Sequence, residues 1–280
     1  LKSIAIMAIQ DTLLNVYNYN DVTVNGVYDN NTISSLSKFQ TSRLLTTTTG
    51  EMVDEQTWHM LITQCMNNNN NPSPGVYWFD AGWPQGNVSL STFQCLRSAG
   101  FEYGVVECWR NKDSGIFWSE CVDNSANAYA AGFDVVDVYM FPSRYRDPAH
   151  QVTELLANLT ENAVKYDRVM IDVEGSEWND FSQEDNRLFM LSLQEAFEEQ
   201  QVDLSVYAGT VWNDYFGTEF TAFSNYPLIY AHYDNIPSYY DYSAYGGWLS
   251  AAGKQFYDGI DPEILCELPL DWDWSATPFW

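Results

Sequence analysis

From Val76 onward the chain alternates short apolar runs with amphipathic stretches. Eight runs have strand length and are rich in β-branched and aromatic residues: Val76–Phe79, Tyr103–Cys108, Val135–Met140, Val169–Val173, Leu204–Tyr207, Leu228–Ala231, Gly253–Phe256 and Leu270–Trp274. Stretches with helical spacing, such as SLSTFQCLRSAG and NRLFMLSLQEAFEEQ, lie between several of them. Repeated βα units predict an α/β fold built on a parallel barrel, in which chemistry belongs at the C-terminal ends of the strands. The first part of the chain has a different period. Ile6, Ile9, Leu13 and Leu14 recur at helix spacing. An Asn25-Gly26 turn and a cap-like cluster of Asp29, Asn31 and Thr32 then open a second helix, which should bury Ile33, Leu36 and Phe39. Gly50 and a capping Asp54 or Thr57 introduce a third, carrying Trp58, Leu61 and Ile62. Between the two patterns stands CMNNNNNPSPG, residues 65–75, where an asparagine run and two prolines cannot continue a helix. The expected organisation is a small three-helix domain over residues 1–66, a linker over 67–74 and a barrel over 75–280.

Composition narrows the setting. Aromatic residues make up 16% of the 280, far too many for a disordered chain. No stretch supplies the roughly 18 consecutive apolar residues of a spanning helix. The formal net charge is −26, which disfavours nucleic acid and anionic membranes as partners. Such a surface suits either plain solubility or an acidic compartment, where protonation of carboxylates relieves the self-repulsion. Five cysteines, at 65, 95, 108, 121 and 266, include no C-x-x-C pair. Two disulfides and one odd thiol would fit an exported protein, with fifteen pairings open and Cys108–Cys121 the first choice as a short loop closure. Sequons beginning at Asn30, Asn87 and Asn158 agree with export.

The candidate chemistry lies in DRVMIDVEGSEW. Asp172 and Glu174 stand two residues apart at the end of the fourth strand, on one face of it, with Cα atoms roughly 6.6 Å apart. On a barrel interior, burial and mutual repulsion would raise at least one pKa and leave one acid protonated beside one carboxylate, the division of labour that glycoside cleavage requires. His59, His150 and His232 are scattered and not at metal-ligand spacing, so neither a metal nor another cofactor is expected. The hydroxyls of GTVW and GSEW lack a G-x-S-x-G elbow, which argues against serine hydrolase chemistry.

The order of GVYWFDAGWPQGN, AGFDVVDVYMFP, VMIDVEGSEW, VYAGTVWNDYFG, YPLIYAHYD and YGGW closely resembles lysozymes of glycoside hydrolase family 25, the Chalaropsis type, and their eukaryotic branch in particular. The resemblance covers nearly all of residues 75–275. It implies a distorted TIM-like β/α barrel that hydrolyses the β-1,4 bond between N-acetylmuramic acid and N-acetylglucosamine in bacterial peptidoglycan. Glu174 then matches the general acid/base. Asp172 matches the partner that orients the substrate acetamido group or stabilises the developing cation. Asp80 matches the acid after the first strand, and Asp271 or Asp273 in LPLDWDWS the acid of the last. Residues 3–63, with Ile9-Gln10, VNGVYDNNT and GEMVDEQTWHML in order, resemble the peptidoglycan-binding domain appended to cell-wall hydrolases. Two positions depart from the pattern. The family's Trp-Gln-Tyr strand is reduced to Gln255 and Phe256, and a tryptophan of W-x-A-x-Y is Tyr230.

Aromatic residues at strand ends are candidates for the sugar-binding surface: Tyr139, Trp178, Tyr207, Trp212, Tyr233 and Trp248, with Trp83 and Trp109 also placed there. The implied protein is a monomeric enzyme, secreted or phagosomal/lysosomal. Met170, two before Asp172, argues against a chitinase-like D-x-D-x-E. The alternative is a non-catalytic glycan-binding protein on the same scaffold, against which the joint retention of Asp80, Asp172 and Glu174 argues.

Overall fold

A computed structural model describes residues 9–10, 13–14, 19–24, 26–42, 75–112, 114–234, 237–258, 266 and 268–279. The chain divides into two compact units, one of Leu1–Gly75 with Ser98–Gly100 and one of Val76–Arg97 with Phe101–Trp280.

In the first unit, helix α1 (Asn30–Ser42) starts where the cap cluster predicts. The backbone N–H and the hydroxyl of Thr32 both donate to Asp29 Oδ1 at 2.8 Å, and these bonds hold the Asp29 pKa below the usual range. Leu36 and Phe39 are buried, whereas Ile33 is only half-buried. Buried Gln10 ties the unit together. Its amide nitrogen donates to Val27 O and Thr32 Oγ1, and its oxygen accepts from the N–H of Gly26, whose φ of 69° suits glycine. The third predicted helix, most of the first and the 67–74 linker lie outside the described residues.

The second unit is a barrel of eight strands. These are β1 (Val76–Ala81), β2 (Phe101–Arg110), β4 (Val135–Met140), β5 (Val169–Val173), β6 (Leu204–Ala208), β7 (Leu228–Ala231), β8 (Gly253–Tyr257) and β9 (Asp271–Ser275). The sheet runs β1-β9-β8-β7-β6-β5-β4-β2, and pairing of β1 with β2 closes it. All eight strands fall on predicted runs, because strands covered on both faces read as continuous apolar segments; β5 is buried at all five positions. The two-residue β3 (Ile116–Phe117), antiparallel to the end of β2, is too short to leave a pattern.

One expectation is corrected. The barrel is not wholly parallel: β9 pairs antiparallel with both β1 and β8. Its first residue therefore lies at the rim where the parallel strands end. Helices α2 (Leu90–Ser98), α3 (Glu120–Ala130), α4 (Pro148–Glu161) and α5 (Gln183–Glu199) cover the outside, and only the five-residue α6 (Trp212–Phe216) separates β6 from β7. Disulfides Cys95–Cys266 and Cys108–Cys121 brace the unit, while Cys65 lies outside the described residues.

The strand period of two sorts the interior. Trp78, Tyr103, Val105, Met170, Tyr207 and Ile229 form its apolar core. Phe279, beyond β9, closes on Trp78 and Tyr103 with ring centroids 5.9 and 5.8 Å away. Two residues further along the same inward faces, the strands present polar side chains: Asp80 after Trp78, Glu107 after Val105, Asp172 after Met170.

Candidate active site

At the carboxyl ends of the parallel strands a small hollow of about 100 Å³ is lined by Asp80, Asp172, Glu174 and Asp271. An adjoining hollow of about 300 Å³ shares Asp80, Glu174 and Asp271 with it and adds Glu107. Register explains the meeting. Asp80 pairs directly with Asp271 across the β1–β9 ladder, and Asp172 ends the inward face of β5.

The antiparallel turn of β9 also separates Asp271 from Asp273. Asp273 pairs with Trp78, one layer deeper, is fully buried and lines neither hollow. Neither of its carboxyl oxygens has a hydrogen-bond partner among the described residues, and burial drives its pKa well above the usual carboxylate range. Burial without a partner thus favours its neutral form within the barrel core.

Burial dominates the electrostatics of the others. It raises Asp80 well above the ordinary value, with Asp271 adding repulsion, although Gln255 donates to Asp80 Oδ2 at 2.5 Å. Asp172, 7% exposed and with Oδ1 unpartnered among the described residues, is raised by burial and then by Glu174. Asp271 is pushed up to about 7 by burial, then by Asp258 and Glu174. Glu174 reaches solvent at the mouth, yet the cleft walls remove enough water to raise it, and Glu177 adds to the effect. Several carboxyls crowded in one hollow cannot all ionise, so the cleft holds protons that isolated acids would release.

Of the aromatic candidates, Tyr139, Tyr207 and Tyr233 line the acidic hollow. Tyr207 and Tyr233 both donate to Gln255 Oε1 at 2.8 Å, so Gln255 orients two hydroxyls and Asp80 together. The three tryptophans of that group are corrected. Trp212 and Trp248 pack edge to face at 4.9 Å within a shell of phenylalanines, with no open face for a sugar. Trp109 is likewise fully buried.

Trp178 is fully buried under the site, with Arg144 5.0 Å over its ring. Its indole N–H donates to the backbone carbonyl of Glu174 at 2.8 Å, and Tyr215 donates to that of Gly175 at 2.9 Å. Gly175 has φ 84°, and a Cβ there would lie 2.8 Å from Glu177 Oε2, so only glycine fits the turn that aims Glu174. Buried Asn186 fixes this turn from below by donating to the carbonyls of Trp178 and Tyr215. Trp178→Ala should therefore lose about 3–5 kcal/mol of stability. Trp178→Phe should retain most of that but lower kcat through loss of the bond to Glu174. Thermal melting and turnover check both; unchanged stability in the alanine variant would return Trp178 to the surface.

Glu107 escaped the sequence reading. It is buried, accepts from the Trp83 N–H at 2.6 Å, and is pushed up to about 7 by burial despite that bond and the nearby Arg110. The alternation Tyr103, Val105, Glu107 on β2 is the same signal that singled out Asp172, and it could have found this residue. Among the described residues His232, Asp234 and Asp241 come close enough to hold a cation. Lys254 already supplies one there: its buried ammonium lies 2.9 Å from both aspartates.

Carboxyls gathered in one cleft at the carboxyl ends of a β/α barrel are the groups that glycoside hydrolases use for acid-assisted cleavage. The family model described as Lysozyme-like protein 1 matches residues 84–256. The chain is 31% identical over 188 residues to probable GH family 25 lysozyme 4 of Dictyostelium discoideum, covering 66% of this chain and 85% of that one. It is 30% identical over 177 residues to Lysozyme-like protein 5 of Caenorhabditis elegans, covering 61% and 80%. The chain belongs to the glycoside hydrolase family 25, lysozyme-like family. Two solved structures share its fold. The spore cortex lytic enzyme SleM of Clostridium perfringens superposes with TM-score 0.60 at 17% identity, covering 74% of this chain and 69% of that one. A family 25 glycosyl hydrolase from Bacillus anthracis gives 0.56 at 15%, covering 73% and 90%.

Proposed function

We propose that this protein is an N-acetylmuramidase, cleaving the β-1,4 bond between N-acetylmuramic acid and N-acetylglucosamine in bacterial peptidoglycan. The observation that carries the reading is the meeting of Asp80, Asp172, Glu174 and Asp271 in one hollow, with Glu174 the most exposed of the four. Glu174 is placed to protonate the leaving oxygen. A sugar laid across the mouth would remove its remaining water and raise its pKa further, so substrate binding itself helps load the proton. Asp172, deeper and held by β5, faces the reacting sugar, where it orients the acetamido group or stabilises the developing cation. Tyr139, Tyr207 and Tyr233 offer hydroxyls to the same ring.

A turbidity assay on bacterial walls tests this reading. Clearing between pH 3 and 8 is expected; its absence would favour a non-catalytic glycan-binding protein. The first unit is read as a wall-targeting module that raises the local enzyme concentration. Removing residues 1–66 should weaken adsorption to sacculi but spare cleavage of short soluble fragments; equal losses on both would mean a stabilising role instead. The acidity of the chain fits release into a phagosomal, lysosomal or otherwise acidic external space.

A further inference from the structure

The larger hollow has a wall unlike the rest of the cleft. In a chain carrying a net charge of −26, the cations that line the two hollows are Arg110 and Lys112, and both stand in this wall. Arg110 is held rigidly. Its guanidinium lies between two indoles, 4.9 Å from the centroid of Trp83 and 4.6 Å from that of Trp118, with Nε 3.5 Å from Glu107 Oε1. Its terminal nitrogens have no protein hydrogen-bond partner among the described residues, and a planar fork fixed in that way is shaped for a carboxylate.

The support beneath is firm. Cys108–Cys121 ties the end of β2 to α3, the Trp118 N–H donates to Cys108 O at 2.9 Å, and Arg146 Nη1 donates to Gly115 O at 2.8 Å. Trp83, held by the bond from its N–H to Glu107, is 58% exposed and turns a ring to the hollow as a platform for the apolar face of a sugar. Glu107, the carboxyl beside Arg110, is pushed up to about 7 by burial, so under acidic conditions it leaves the charge of Arg110 uncancelled.

We propose that Trp83, Arg110 and Lys112 form a subsite that recognises a carboxylate carried by the muramoyl residue: Trp83 takes the sugar face, while Arg110 and Lys112 take the charge. This rests on the muramidase reading, and it adds the residues that would make the cleft prefer an acidic amino sugar to a neutral one. The carboxylate is that of a free lactyl group or of the peptide extending it.

The test is binding to the full chain carrying Glu174→Gln, so that no ligand is cut. Four probes are compared at pH 5 and low salt: the muramic acid–glucosamine disaccharide with a free lactyl carboxylate, its methyl ester, the disaccharide bearing an acidic tetrapeptide, and neutral chitobiose. At least one carboxylate-bearing probe should bind about tenfold tighter than its neutral counterpart. Lys112→Gln and Arg110→Gln should each erode that preference, and Arg110→Lys should keep part of it. Lys112→Gln should leave the neutral probes unaffected, which a general loss of structure would not. Loss confined to the lactyl disaccharide or to the tetrapeptide form identifies which carboxylate is read. A preference for carboxylate that is absent, or that persists unchanged in both glutamine variants, overturns the proposal. Wall clearing by the unmutated chain reports separately on whether the protein is a muramidase.

Discussion

Glu174→Gln should lower wall hydrolysis by a factor of about 10² or more, the usual worth of general acid–base catalysis, while the protein still folds. The amide is close in size and shape to the carboxyl but has no transferable acidic proton. Because the side chain stands at the mouth, the substitution removes no buried partner. The backbone bonds that aim it, from Trp178 to Glu174 O and from Tyr215 to Gly175 O, are untouched. Turnover should therefore fall without a matching rise in KM, and the melting temperature should stay near that of the wild type. Asp172→Asn should also be severe, since the carboxyl faces the same hollow. Near wild-type turnover in Glu174→Gln would remove Glu174 from the role.

The second large effect is a loss of stability as pH rises. Most proteins gain from ionised carboxylates, but here the cleft acids titrate in the opposite sense. Glu107 rises from 4.5 to about 7 on folding and Asp271 from 3.8 to about 7, while Asp80, Asp172 and Asp273 lie well above the ordinary value. A group whose folded pKa is raised binds its proton more tightly in the native state. Its contribution is fully present below the unfolded pKa, near 4, and is lost as pH climbs through the folded pKa, near 7. At about 1.4 kcal/mol per pH unit, Glu107 alone would account for roughly 3 kcal/mol. Repulsion within a chain of net charge −26 acts in the same direction. Thermal melting should thus be higher at pH 5 than at pH 8, by roughly 10 °C. Activity should follow, with an optimum below about pH 6, because Glu174 must hold a proton to act as the acid. Added salt at neutral pH would restore some activity if repulsion from an anionic wall limits the rate, but not if deprotonation does. Equal or higher melting at pH 8 would show that the buried acids ionise without cost.

The barrel was legible because its strands are buried on both faces and so read as apolar runs. Asp172 and Glu174 were legible because two carboxylates interrupt one of those runs. Four features were less so. The direction of β9 follows from its pairing with β1 and β8, which an apolar run does not reveal, and without it the choice between Asp271 and Asp273 stays open. The burial of Trp178, Trp212 and Trp248 depends on neighbours far away in sequence, and a tryptophan at a strand end looks the same whether it faces a sugar or a phenylalanine. Glu107 carries the same alternation, but it has no second acid two residues away on β2 to set it apart from an ordinary strand end. Gln255 read as a remnant of a family pattern; its bonds to Asp80, Tyr207 and Tyr233 appear only when β8 is set beside β1 through β9.

The most direct test of the central claim is the identity of the sugar left at the new reducing end. Purified peptidoglycan would be digested with the full chain at pH 5, the fragments reduced with borohydride, and the terminal sugar alcohols identified by mass. A muramidase leaves muramitol, and that is the result expected here. Glucosaminitol at the new ends, or walls released without any new reducing end, would contradict the account.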